Sequence, residues 1–176
     1  MSEEKKINIA YIDAANLDRA LKLTHKWKLD YARFRVWLFE KYAVERAYIF
    51  IGLVPKYKNL YSYLQECGFE LAFKDVLYHS GTPKGNCDSD LLMKAAQDLY
   101  EGRLKKAVLV SSDGDYAPLI KVLKDKDGIA VILSPALPKK MSLLLKRTGV
   151  PIAYIHNQRS ILEFKNEKAP DTDGTV

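Results

Sequence analysis

The chain has 176 residues, 48% of them hydrophobic, and a formal charge of +6; that is one domain's length, with apolar material for one core. The basic excess suits a polyanion, bound through phosphate contacts and counterion release, and points to no reaction by itself. Cys67 and Cys87 show no CxxC spacing, which argues against a disulfide scaffold and a zinc site, and no apolar run reaches membrane-spanning length.

In chain order, short β-branched and aromatic runs alternate with helical periodicity. Met1-Ser-Glu-Glu-Lys-Lys is not followed by an apolar leader, so the expectation is a cytoplasmic protein. The run INIAYI predicts a strand over 7–12, with helices over 17–23 and 31–42 after it. Asp13 directly follows that strand. Asn16 is the better placed of the two to cap the helix beginning near Leu17, which leaves Asp13 without a structural role. Arg33 and Arg35 read as the wet side of their helix. Strands over 46–52 and 70–74 flank a helix over 60–67. The stretch LYHSGTPKGNC, 77–87, reads as a long loop punctuated by Gly81, Pro83 and Gly85, and its length marks it as functional.

A helix over 88–100 opens on Asp88-Ser-Asp90. Counted from Asp88, residues Leu91, Leu92, Ala95, Ala96 and Leu99 form an apolar stripe. Counted from Asp90, residues Lys94, Gln97, Asp98 and Glu101 form the solvent face, with Lys94 as the ion-pair partner of Asp90. Asp88 thus stands at the N-terminal end of the buried face, where a charge needs a reason. A strand over 107–110 then runs into Ser111-Ser-Asp-Gly-Asp115, and Pro118 suits the first turn of a helix over 116–124. Asp115 is placed as that helix's N-cap and Asp113 at the strand end. Ser111 and Ser112 orient a carboxylate, contact a phosphate or close the turn, and the residues leave those choices open. Strands over 129–133 and 152–155, a helix over 139–146, and a polar tail over 166–176 expected to be disordered complete the chain.

Repeated βα units predict an α/β domain over 1–165 around a mostly parallel sheet. Ligands of such sheets bind at the carboxyl ends of the strands, where Asp13 and Asp113 fall. Converging carboxylates repel one another unless a cation joins them. Hard divalent cations, Mg2+ or Mn2+, take oxygen ligands and activate water against a phosphodiester, so Asp13, Asp88 and Asp113 are the expected metal ligands.

Three segments carry a resemblance: Tyr11-Ile-Asp-Ala-Ala-Asn16, Lys84-Gly-Asn-Cys-Asp88-Ser-Asp-Leu and Ser111-Ser-Asp-Gly-Asp-Tyr-Ala-Pro-Leu-Ile120. In order and spacing they resemble the signature blocks of the NYN domain family, the LabA-like proteins within the PIN-like nuclease group. Val131-Ile-Leu-Ser-Pro135 is similar to the family's next strand, and the likeness runs from 7 to 163. The resemblance implies a Rossmann-like, three-layer α/β/α fold and a metal-dependent endoribonuclease acting on single-stranded or structured RNA. The family's acidic positions fall on Asp13, Asp88, Asp113 and Asp115; its motif also places Asn16 in the site and Lys84 near it. Lys84 and Ser112 are the candidate phosphate contacts, and Tyr78, His79 and Trp27 the candidates for stacking on bases. The alternative is a non-catalytic RNA-binding or adaptor module of the same fold. The stretch His25-Lys26-Trp27 departs from the family pattern.

Overall fold

The computed structural model describes residues 5–75, 77–79, 82–84 and 88–165, excepting the side chains of 75, 77–79, 82–84 and 88. Strands β1 (Ile7–Asp13), β2 (Val44–Leu53), β3 (Glu70–Asp75), β6 (Leu104–Val110), β7 (Ile129–Ser134) and β8 (Ile152–Tyr154) form one sheet in the order β3-β2-β1-β6-β7-β8. Every pairing in it is parallel, beyond the mostly parallel sheet expected. The segment expected as a loop carries a hairpin, β4 (Leu77–His79) against β5 (Thr82–Lys84), as a separate antiparallel ribbon. Two three-residue strands are too short to give a periodic signal.

The helices are α1 (Ala14–Ala20), α2 (Tyr31–Tyr42), α3 (Lys58–Glu66), α4 (Asp88–Tyr100), α5 (Ala117–Asp125), α6 (Leu143–Lys146) and α7 (Arg159–Leu162). They cover both faces because the central strands are apolar on both sides, as buried parallel strands must be. Ala10, Ile12, Val108 and Val110 meet Leu17 of α1, Phe34 and Leu38 of α2, Leu64 of α3 and Leu162 of α7. The alternate residues Ile9, Tyr11, Ala107 and Leu109 meet Leu91 and Ala95 of α4, Ile120 and Leu123 of α5, and Leu145 of α6. The result is three layers, helix on sheet on helix.

Several local expectations change. Helix α1 starts three residues earlier than expected and continues as a π-helical turn, Leu21–His25, which Lys26 ends in the left-handed region at φ 56°. Trp27 is buried in the core and is not a stacking surface. Arg35 is a staple between elements, donating to the carbonyls of Gly68, Val44 and Glu45. On α4 the buried positions are Leu91, Ala95 and Asp98, one every three to four residues, while Ala96 is exposed. Lys94 pairs with Asp98, not with Asp90. Helix α6 is shorter than expected because the Ser142 hydroxyl caps it, accepting from the Leu144 amide at 3.2 Å. Among the described residues no helix is long and apolar enough to cross a membrane. The tail over 166–176 lies outside the described residues.

Candidate functional site

Strand order reverses at β1: the chain adds β2 and β3 on one side, then crosses over and adds β6, β7 and β8 on the other. A crevice opens at such a switch point, outside the carboxyl ends of the two central strands. In the β1–β6 pairing the last matched residues are Ile12 and Val110. Asp13 and Ser111 therefore emerge side by side at that end.

Asp13 is only 4% exposed. It serves as the N-cap of α1, with Oδ1 accepting the Asn16 amide at 3.0 Å. Its Oδ2 accepts the Ser111 hydroxyl at 3.3 Å and the Tyr116 hydroxyl at 3.2 Å. The expected division of labour is thereby reversed, since Asp13 caps and Asn16 does not. Both residue types cap well, and β1 extends to Asp13 itself, so the helix begins with no connector. Asn16, in the first turn, instead bridges to the β6 loop. Its Oδ1 accepts both the amide and the hydroxyl of Ser112, each at 2.9 Å.

Asp113 is held over the same strand end. Its amide donates to the Ser111 hydroxyl oxygen at 3.2 Å, and its Oδ1 accepts the Asp115 amide at 3.0 Å, capping the short 3-10 turn Gly114–Tyr116. One hydroxyl, that of Ser111, thus links the Asp13 carboxylate to the Asp113 main chain. Asp115, expected as a helix N-cap, lies inside that turn and is exposed. Gly114 is required by a close approach: Ser142 Oγ lies where a side chain at 114 would begin, and the Ser142 amide donates to the Ser112 carbonyl at 3.4 Å. The segment after β7 is pinned to the acidic loop in this way.

Helix α4 begins at Asp88 and packs against β1, β6 and the Gly114–Tyr116 turn. It ends shortly before β6 begins, so its first residue lies toward the carboxyl end of the sheet. The side chains of Asp88 and Lys84 lie outside the described residues. Among the described residues no three His, Cys, Asp or Glu side chains form a metal-binding group. The fold thus gathers Asp13, Asn16, Ser111, Ser112 and Asp113 at one strand-end crevice, with Asp115 exposed in the adjoining turn; Asp88 is brought toward it by main-chain position alone.

Behind the crevice lies a buried polar cluster absent from the expected site. Asp98, 1% exposed, accepts the Tyr11 hydroxyl at 2.9 Å, Lys94 Nζ at 2.8 Å and Arg103 Nε at 2.9 Å. Burial, and then the adjacent Asp98 carboxylate, push the Tyr11 hydroxyl far above its ordinary value, so it stays a donor. Tyr116 and Ser142 were also missed as site supports. Tyr116 reads as the start of a helix, and nothing local to Ser142 announces a partner some thirty residues earlier.

The family model for the NYN domain matches residues 8–149 of the chain. A crystal structure of a protein of unknown function from Vibrio parahaemolyticus shares the fold, with a TM-score of 0.69 at 20% identity over 92% of this chain and 99% of that one. Among curated proteins none matches.

Proposed function

The chain belongs to the NYN domain family, and on that premise we propose that it is a ribonuclease that hydrolyses RNA phosphodiester bonds with Mg2+ or Mn2+ held by Asp13, Asp88 and Asp113. The single observation that carries the reading is the Ser111 bridge, which joins the Asp13 carboxylate to the main chain of Asp113 at the switch point. The donors gathered there are carboxylate and hydroxyl oxygens, the chemistry hard divalent cations select. Such a cation supplies charge neutralisation at the phosphate and a more acidic water nucleophile.

The chain's own groups do the positioning. The Asn16 amide and the Ser111 and Tyr116 hydroxyls donate to the Asp13 carboxylate and fix its orientation. The turn cap does the same for Asp113. Position 88 stands one helical turn before Leu91 on the stripe that faces the sheet, which favours Asp88 as the third acid. Lys84, and the exposed Lys139 and Lys140 on the segment that Ser142 pins beside the acidic loop, are the cationic groups for the RNA backbone. A cytoplasmic location belongs to the same proposal, in keeping with the free thiol of Cys67.

The test is cleavage of end-labelled single-stranded RNA by the pure protein with Mn2+, with and without EDTA, beside a DNA of the same sequence. Cleavage that leaves 5′-phosphate ends, stops with EDTA and is lost in Asp88→Asn supports the reading. Salt-sensitive RNA binding without metal-dependent turnover replaces it with the non-catalytic module.

A further inference from the structure

Asn16 has two chemically opposite ways to serve this site, and its hydrogen bonds separate them. As a metal ligand it would offer Oδ1, the only atom of its side chain with lone pairs suited to a hard cation. As a substrate contact it would offer the Nδ2 hydrogens, which can meet only an acceptor. A carbonyl-type oxygen has two lone pairs. In this fold one accepts the Ser112 amide and the other the Ser112 hydroxyl, each at 2.9 Å. The orientation is not ambiguous, because a backbone N–H can only donate. The atom facing it must therefore be the oxygen.

The opposite side of the same amide is Nδ2. Among the described residues it meets no acceptor, and it is not sealed off, since the buried side-chain atoms without partners there are Asn8 Oδ1 and His156 Nδ1. Two N–H donors thus stand in the first turn of α1, three residues from the most buried acid of the crevice. An RNA phosphate carries acceptor oxygens only, and carboxylates repel it. A neutral amide can hold a non-bridging oxygen at that position without adding charge that competes for the cation.

We propose that Asn16 is a phosphate-binding residue that donates Nδ2–H to a non-bridging oxygen of the RNA backbone, and that it is not a metal ligand. Ser112 is then a positioning residue. Its hydroxyl hydrogen is committed to Asn16 and fixes the direction of the amide, so Ser112 acts on the substrate through Asn16 and not directly. This rests on the ribonuclease reading and deepens it.

The experiment pairs calorimetric titration of Mn2+ into RNA-free protein with steady-state cleavage kinetics at saturating Mn2+, for wild type, Asn16→Ala and Ser112→Ala. A hydrogen bond to a charged group corresponds to roughly a 10- to 100-fold effect. Asn16→Ala is expected to raise KM by about that factor while the Mn2+ Kd stays within about twofold. Ser112→Ala, which keeps the amide-to-Asn16 bond, should raise KM by only about two- to fivefold, again with unchanged Mn2+ affinity. The proposal is overturned if Asn16→Ala weakens Mn2+ binding tenfold or more. It is equally overturned if Ser112→Ala tightens Mn2+ binding, as release of an Oδ1 lone pair would do for a ligand. Should Asn16→Ala fail to fold, the Ser112→Ala titration decides alone. Absence of cleavage by wild-type protein would instead count against the ribonuclease reading, and the Mn2+ titrations would still report on Asn16.

Discussion

The contact between Gly114 and Ser142 gives the most precise prediction about how the acidic loop is held. Gly114 does not occupy the left-handed region, so alanine there would, on backbone grounds, stabilise the fold by about 0.4–1 kcal/mol. The contact opposes this. A Cβ at 114 overlaps Ser142 Oγ outright and sits at 3.3 Å from both Ser142 Cβ and Leu144 Cδ1. Overpacking costs about 1–3 kcal/mol, and pushing Ser142 off the start of α6 removes a helix cap, typically ~1 kcal/mol more. The steric side wins, and Gly114→Ala should destabilise by about 1–3 kcal/mol in urea unfolding. Ser142→Ala alone loses the cap for ~1 kcal/mol. The double variant removes the overlapping oxygen, so it should be more stable than the sum of the singles by about 1–2 kcal/mol. Additivity of the two substitutions within about 0.5 kcal/mol, or a neutral Gly114→Ala, would show that the segment after β7 does not press on the acidic loop.

Asp13→Asn keeps the cap through Oδ1 but sets an amide NH2 against the buried Ser111 and Tyr116 hydroxyls, so stability should fall by about 1–3 kcal/mol, while metal-dependent cleavage falls by more than about 100-fold; a cleavage rate near wild type would remove Asp13 from the chemistry. Asp98→Ala leaves the buried Tyr11 hydroxyl without its acceptor and parts Lys94 and Arg103 from their carboxylate. A loss of about 2–4 kcal/mol is expected in chemical denaturation, somewhat under the full buried-pair figure because both cations are partly exposed; a loss under ~0.5 kcal/mol would contradict it. Burial and the neighbouring imidazole of His25 hold His156 below its ordinary value of 6.5. The folded state therefore resists a proton that the unfolded chain accepts, so this contribution is complete above pH ~6.5 and is lost as pH falls toward the lowered folded value. Thermal unfolding from pH 7.5 to 5 should show a shallower slope in His156→Asn than in wild type, and identical slopes would refute the assignment.

How far the sequence discloses these features depends on the range of the interaction. The four central strands β1, β2, β6 and β7 stand out because strands buried on both faces are apolar runs, and α2 and α4 because a stripe over twelve or more residues is hard to mistake. The start of α1 is a different matter. Asp13 and Asn16 are both N-cap types three residues apart, and only the extension of β1 to Asp13 decides between them. Asp98 is hidden for the same kind of reason. An aspartate on a helix reads as solvent-facing until Tyr11, eighty-seven residues away, supplies its donor. The acids Asp13 and Asp113 can be placed at strand ends from local pattern alone. The Ser111 and Tyr116 hydroxyls that orient Asp13, and the Ser112 pair that turns Asn16, come from the far side of the sheet's switch point, where no local periodicity reaches.

The proposal that Asp13, Asp88 and Asp113 share a divalent cation is tested most directly by anomalous diffraction from a crystal of the protein soaked in Mn2+. A strong peak is expected at the carboxyl ends of β1 and β6, within coordination distance of carboxylates from these residues or one water from them. A peak confined to other surface carboxylates, or an Asp88 side chain directed away from Asp13 and Asp113 at saturating Mn2+, would contradict it.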